Sequence, residues 1–138
     1  MSRWVGVLVV IGVAVVGFLA FSFFSPETAQ APAGNIVVTS PAPNATITSP
    51  VTIVGEAKGT YYFEASFPIE IRDQNGVVIG QSHAEAGSDW MTVDFVPFTA
   101  IVTFTSPGAG QSGVIRLKND NPSGDPARDL YFDLPVTF

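Results

Sequence analysis

From Asn35 to Phe138 the apolar residues recur mostly at every second position, and this period limits the fold more than any other feature of the chain. Period two belongs to a strand with one face buried, whereas a helix repeats apolar residues at three and four. No stretch of ten or more residues in this part shows the helical spacing without a Gly or Pro interrupting it. The closing segment is the clearest: Leu130, Phe132, Leu134, Val136 and Phe138 alternate with Tyr131, Asp133, Pro135 and Thr137. Pro135 has no N–H to give to a ladder, which places that strand on an edge or at a bulge. The reading is all-β.

The other strands follow in order. Residues 36–39 are a short first strand, and residues 40–44 (SPAPN) a turn. Residues 51–57 put Val51, Ile53, Gly55 and Ala57 on one face, until Lys58-Gly59-Thr60 breaks the run. Residues 61–67 are the most aromatic stretch and read as a strand edge or a packed connection. Phe67, Ile69 and Ile71 alternate with Pro68, Glu70 and Arg72. Asn75-Gly76 then predicts a type I′ hairpin turn, whose two central residues need φ > 0. Residues 77–81 return, and residues 84–89 are a small, acidic break. Residues 90–96 and 98–104 form two strands or one bent strand, divided at Pro97, with Phe98, Ala100, Val102 and Phe104 on one face. After a loop at 106–113, residues 114–118 turn Ile115 and Leu117 inward and Arg116 and Lys118 outward. Residues 119–129 are a long Asx-, Gly- and Pro-rich loop. Seven or eight short strands with turns at this spacing predict an immunoglobulin-like antiparallel β-sandwich. The chain has no cysteine, so the disulfide-bonded antibody version is not indicated and the core alone must hold the domain.

Ahead of this domain, residues 5–24 (VGVLVVIGVAVVGFLAFSFF) carry no charge, with Ser22 as the single polar side chain. As a helix this run would be about 30 Å long, enough for one membrane crossing. Arg3 and the amino terminus precede it and Glu27 is the first charge after it, so the amino terminus is expected on the cytoplasmic side and the rest outside. A cleaved signal peptide is the competing reading, on the small-x-small pattern Ala29-Gln30-Ala31. The run is longer than a signal core of about 7–15 residues, and cleavage would leave Pro32 first. The expected organisation is a transmembrane helix over residues 1–24, a linker over 25–34 (SPETAQAPAG), and one β-sandwich over 35–138. Beyond the apolar run lie twelve acidic and five basic residues. That balance argues against nucleic acid or an anionic lipid surface as the main partner.

Three segments occur in a familiar order: Gly59-Thr60-Tyr61-Tyr62-Phe63-Glu64-Ala65-Ser66-Phe67-Pro68; Asp89-Trp90-Met91-Thr92 with Phe95-Val96-Pro97-Phe98; and Lys118-Asn119-Asp120-Asn121-Pro122-Ser123-Gly124. With Ser49-Pro50-Val51 and the closing strand, they resemble the immunoglobulin-like domain family of bacterial spore germination, over residues 36–138. The resemblance implies a bacterial envelope protein with an immunoglobulin-like fold and no known catalytic residues. The family is named for modules beside a germination domain, and no such second domain stands in this sequence, so a general binding or scaffolding role at the cell membrane is the expectation.

Several constellations carry a chemical reading beside a plainer one. Gly108-Ala109-Gly110-Gln111-Ser112-Gly113 fits G-x-G-x-x-G, but a dinucleotide site needs a helix after it and a strand pattern follows. Asp120, Asn121, Asp125 and Asp129 offer oxygens for calcium. EF-hand spacing fails, since the twelfth position from Asp120 is Tyr131, and Asx residues make turns. Glu56, Glu64, Glu70 and Asp94 could pair for glycoside hydrolysis only at separations a sequence does not supply. His83 is the single histidine, read on a loop, with no thiol or second imidazole for zinc. Asn44-Ala45-Thr46 reads as a turn asparagine. No catalytic residue, metal or cofactor is therefore expected. Among the aromatics, Phe67, Trp90 and Phe98 read as core. Tyr61 and Tyr62 are adjacent and in an extended chain point opposite ways, which would leave one exposed as a ligand-binding surface. The expected partners are the membrane and an envelope protein or glycan. The alternative function is a carbohydrate- or peptidoglycan-binding module using Tyr61 or Tyr62, and a small hydrolase ranks last.

Overall fold

The structure, a computed structural model, describes residues 34–138. The apolar run over residues 5–24, expected to cross a membrane, and residues 25–33 of the expected linker lie outside the described residues. Among those described, no helix is long and apolar enough to cross a membrane.

Seven antiparallel strands form where the alternation is strongest: β1 (Ile36–Ser40), β2 (Val51–Lys58), β3 (Ser66–Asp73), β4 (Val78–Ala86), β5 (Phe95–Val102), β6 (Ser112–Lys118) and β7 (Tyr131–Thr137). They hydrogen-bond in the order β1-β2-β5-β4-β3-β6-β7. Lettered A to G in chain order, the strands thus lie in the order A-B-E-D and C-F-G of an immunoglobulin sandwich, with β4 paired to β3 as well as β5. The sheet folds over on itself. Phe67 of β3 and Phe98 of β5 meet edge to face at 5.1 Å although β4 stands between their strands in the ladder. Residues 44–47 cross from the end of β1 to the open edge of β7. There Asn44 N donates to Pro135 O (2.7 Å) and Ile47 N to Thr137 O (2.8 Å). Pro135 thus sits on an edge strand, as a proline without a ladder donor requires.

The inward faces are the ones the alternation predicts. Ile53, Phe67, Ile69, Ile71, Phe98, Val102, Ile115 and Leu117 are fully buried, and Phe132, Leu134, Val136 and Phe138 close the core beside them. Among the described residues, every buried side-chain nitrogen or oxygen has a hydrogen-bond partner.

Five local expectations are corrected. The break expected at 84–89 starts later, because Ala84 faces inward against Phe67 as the third-last residue of β4, and the loop begins at Gly87. Residues 90–94 are loop, not strand, and β5 runs unbroken through Pro97. Pro97 O accepts from Gly87 N (2.8 Å), so the missing N–H lies on the side where β4 has already ended. Asn75-Gly76 does not make a type I′ turn, since Gly76 has φ +78° and Asn75 is not among the positive-φ residues. Gln74 and Asn75 form the turn, Gly76 takes the left-handed position after it, and the Asp73 carboxylate accepts from the N–H groups of Asn75 and Val77 (both 2.9 Å). His83 stands on β4, exposed and opposite Pro68, rather than on a loop. Leu130, expected inward, is exposed because the strand begins one residue later.

Candidate functional site

The strand directions gather three connections at one end of the sandwich: residues 59–65 between β2 and β3, 87–94 between β4 and β5, and 119–130 between β6 and β7. The chain also enters the domain there, with Asn35 O accepting from Lys58 N at 2.8 Å. The segments that carried the family resemblance lie largely in these three loops.

The first loop holds the other two. At Gly59 the backbone of the second loop comes so close that a Cβ would run into the carbonyl oxygens of Thr92 and Trp90. Gly59 N donates to Asp94 O (3.1 Å), and Asp120 N, in the third loop, donates to Tyr61 O (2.9 Å). Residues Gly59–Tyr61 form a single 3-10 turn. This turn corrects the reading of Tyr61 and Tyr62. The chain is not extended there, and both side chains converge on Phe67, at centroid distances of 5.4 and 5.1 Å. They are 2% and 4% exposed, so neither ring offers a face to a ligand. Each hydroxyl is spent internally, Tyr61 Oη on Leu117 O (3.3 Å) and Tyr62 Oη on Val96 O (2.8 Å). Burial pushes both phenols up to about 12.

The loop closes with a two-residue hairpin. Phe63 and Ser66 exchange backbone hydrogen bonds of 3.0 and 3.2 Å, with Glu64 at φ +50° and Ala65 at φ +64°. These are type I′ angles on residues that carry a Cβ, which disfavours them by about 1–2 kcal/mol per residue. No Asn-Gly pair marks this turn, and the alternation gave no signal for it.

The second loop projects apolar side chains. Asp89 Oδ1 accepts from Met91 N (3.0 Å), and Thr92 Oγ1 accepts from Asp94 N (3.1 Å) and donates to Asp94 Oδ2 (3.3 Å). The polar residues are thereby turned onto the loop's own backbone and one another, and Met91 and Val93 are each 75% exposed. Partly exposed Phe63 and Phe95 flank them. Trp90 is half-buried, 6.5 Å from Phe63 edge to face, and Lys58 Nζ stands 5.6 Å over the Phe95 ring. Sequence reasoning missed Met91 and Val93. The available signal was Asp89 and Asp94 bracketing Thr92, residues whose side chains bond their own backbone and favour turns over strands.

The other constellations resolve by position. In the third loop the Asn121 amide donates to Asp125 O and Asp129 Oδ1 (both 2.8 Å), and Asp125 Oδ1 accepts from Ala127 N (3.0 Å) at a short 3-10 turn. The Asx residues here build the loop. Gly108 and Gly110 lie in a loop that leads into β6, with no helix to meet a phosphate. Asn44 is in a turn, at φ +63°. Glu56 stands on the outer face of β2 and Glu70 on that of β3, so the two do not meet. Glu70 accepts from Arg72 Nη2 (2.6 Å) and Nε (2.8 Å), with Lys118 Nζ at 3.6 Å. Burial opposes its ionisation, but Arg72 and Lys118 outweigh that and hold its carboxyl below the ordinary value. Alongside, Arg116 makes a two-pronged pair with Asp133 (both 2.8 Å) and lies 4.1 Å over the Tyr131 ring. The hydrogen bond to Asp133 raises the Arg116 pKa further. This charged face satisfies itself, whereas the loop end leaves apolar side chains in water.

No curated protein and no solved structure matches the chain significantly. The family model described as the immunoglobulin-like domain of bacterial spore germination matches residues 35–125, which take in β1 to β6 and the loop end up to Asp125. By that match over more than half its length, and by the strand order that accompanies it, the chain belongs to the immunoglobulin-like domain family of bacterial spore germination.

Proposed function

We propose that this chain is a non-catalytic contact module of the bacterial envelope, anchored by residues 5–24, carried outside the cytoplasmic membrane, and working through its loop end. One observation carries the reading: the polypeptide enters the sandwich at the end where the three loops gather, with Asn35 bonded to Lys58 beside Phe95. Whatever holds the linker therefore holds the loop end near it. Family membership supports an envelope setting and makes a part in germination the specific biological expectation. The separation of Glu56 from Glu70 and the internal use of the Tyr61 and Tyr62 hydroxyls favour binding or spacing over hydrolysis or sugar stacking on those two rings.

Topology is the test. A full-length chain with a carboxyl-terminal tag should fractionate with membranes, and external protease should remove the tag from intact spheroplasts. A tag recovered in a soluble, shortened product, or one protected until the cells are lysed, would overturn the anchored reading.

A further inference from the structure

The loop end has an apolar surface and a bounded distance from the proposed anchor, and together these name its partner. Ten residues, 25–34, separate the apolar run from Asn35. Ten residues reach at most about 35 Å when fully extended. The entry end of the sandwich is thus tethered towards the bilayer surface, at most about 35 Å from it, while the far end, with the Asp73–Val77 hairpin and Phe138, lies opposite.

We infer that the second loop docks into the headgroup region of the bilayer that holds the anchor, with Met91 and Val93 inserted and Phe63, Trp90 and Phe95 at the boundary. The inference rests on the anchored reading above. Aromatic rings with one wet edge belong at that depth, and exposed apolar side chains gain by leaving water there. Charge does not drive the contact. Glu64, Asp89 and Asp94 outnumber Lys58 around the patch, and Asp89 and Asp94 are engaged by the loop itself. The attraction is therefore apolar and insensitive to salt. Tethering by ten residues makes a weak contact sufficient, because the second binding event is intramolecular. Of the other exposed apolar side chains, Val54 and Ile101 lie on the outer faces of β2 and β5, along the side of the sandwich, and Val77 and Val78 lie at its far end.

Trp90 reports the docking. The chain has two tryptophans, so the full-length Trp4→Phe variant leaves Trp90 as the single emitter. Reconstituted into phosphatidylcholine vesicles with acyl-brominated lipid, it should float with the vesicles and lose most of its Trp90 emission to quenching, in high salt as in low. Adding Met91→Asp and Val93→Asp, both at exposed positions that leave the core intact, should restore the emission. Ile101→Asp should leave the quenching unchanged. A chain that floats with Trp90 unquenched overturns the docking and leaves the anchor standing. A chain that does not float overturns the anchor and the docking with it. Quenching abolished by salt, or by Ile101→Asp as fully as by the loop variant, overturns the apolar loop contact.

Discussion

Phe67 is the side chain on which the core and the loop end both depend, and its truncation is the sharpest test of the structure. Its ring is fully buried and takes three aromatic edges: Tyr61 at 5.4 Å, Tyr62 at 5.1 Å and Phe98 at 5.1 Å. Phe→Ala at a buried site removes about 3–5 kcal/mol, the cavity included. Aromatic pairs add about 0.5–1.5 kcal/mol each beyond area. With three pairs lost, Phe67→Ala should sit at the top of the first range, about 5 kcal/mol, as much as the whole stability of a marginal domain. Phe67→Leu keeps most of the volume and should lose about half as much. The assay is a denaturant titration of the full-length Trp4→Phe chain in non-ionic detergent, followed by Trp90 emission. The same variant should lower hydrogen-exchange protection at Asp120 N, because that N–H is held by Tyr61 O and Tyr61 leans on Phe67. A loss below about 1 kcal/mol at unchanged m-value would show that the two layers do not meet at this ring.

Three further outcomes follow from the loop geometry. Ala65→Gly relieves a left-handed residue and should raise stability by about 1 kcal/mol in the same titration; a loss instead would contradict the hairpin at Glu64-Ala65. Gly59→Ala should destabilise by about 1–3 kcal/mol, since the added Cβ meets the backbone of Trp90 and Thr92; an unchanged midpoint would mean the second loop does not rest there. The phenols of Tyr61 and Tyr62 are raised to about 12 from an unfolded value of 10.0, so the fold favours their neutral forms. Their stabilisation is complete below pH 10 and falls as pH rises towards 12, so Tyr61→Phe with Tyr62→Phe should flatten the alkaline limb of stability against pH, and an identical limb would refute their burial.

The alternation was a dependable guide wherever a strand has one face in the core. Val51, Ile53 and Ala57, then Phe67, Ile69 and Ile71, then Phe98, Ala100 and Val102 all face inward as the period requires. It misled where a side chain's environment is made by distant chain. Met91, Val93 and Phe95 also alternate, yet residues 90–94 are pulled out of the sheet by the Asp89 and Thr92 side chains and by contact with Gly59. The Asn75-Gly76 pair carries the usual signal for a type I′ turn, but the Asp73 carboxylate fixes a different register, and the type I′ angles appear at Glu64-Ala65 instead.

The sequence by itself determined that residues 35–138 are all-β, which residues face the core, and the family, because period two and the aromatic loop segments are local properties. Only the tertiary structure decided that Tyr61 and Tyr62 are hidden, that Met91 and Val93 are not, and that three loops and the chain's point of entry share one end. Those outcomes depend on antiparallel pairing and loop contacts between residues far apart in the chain, such as Gly59 with Asp94 and Tyr61 with Asp120, and no local pattern encodes which strands will be neighbours.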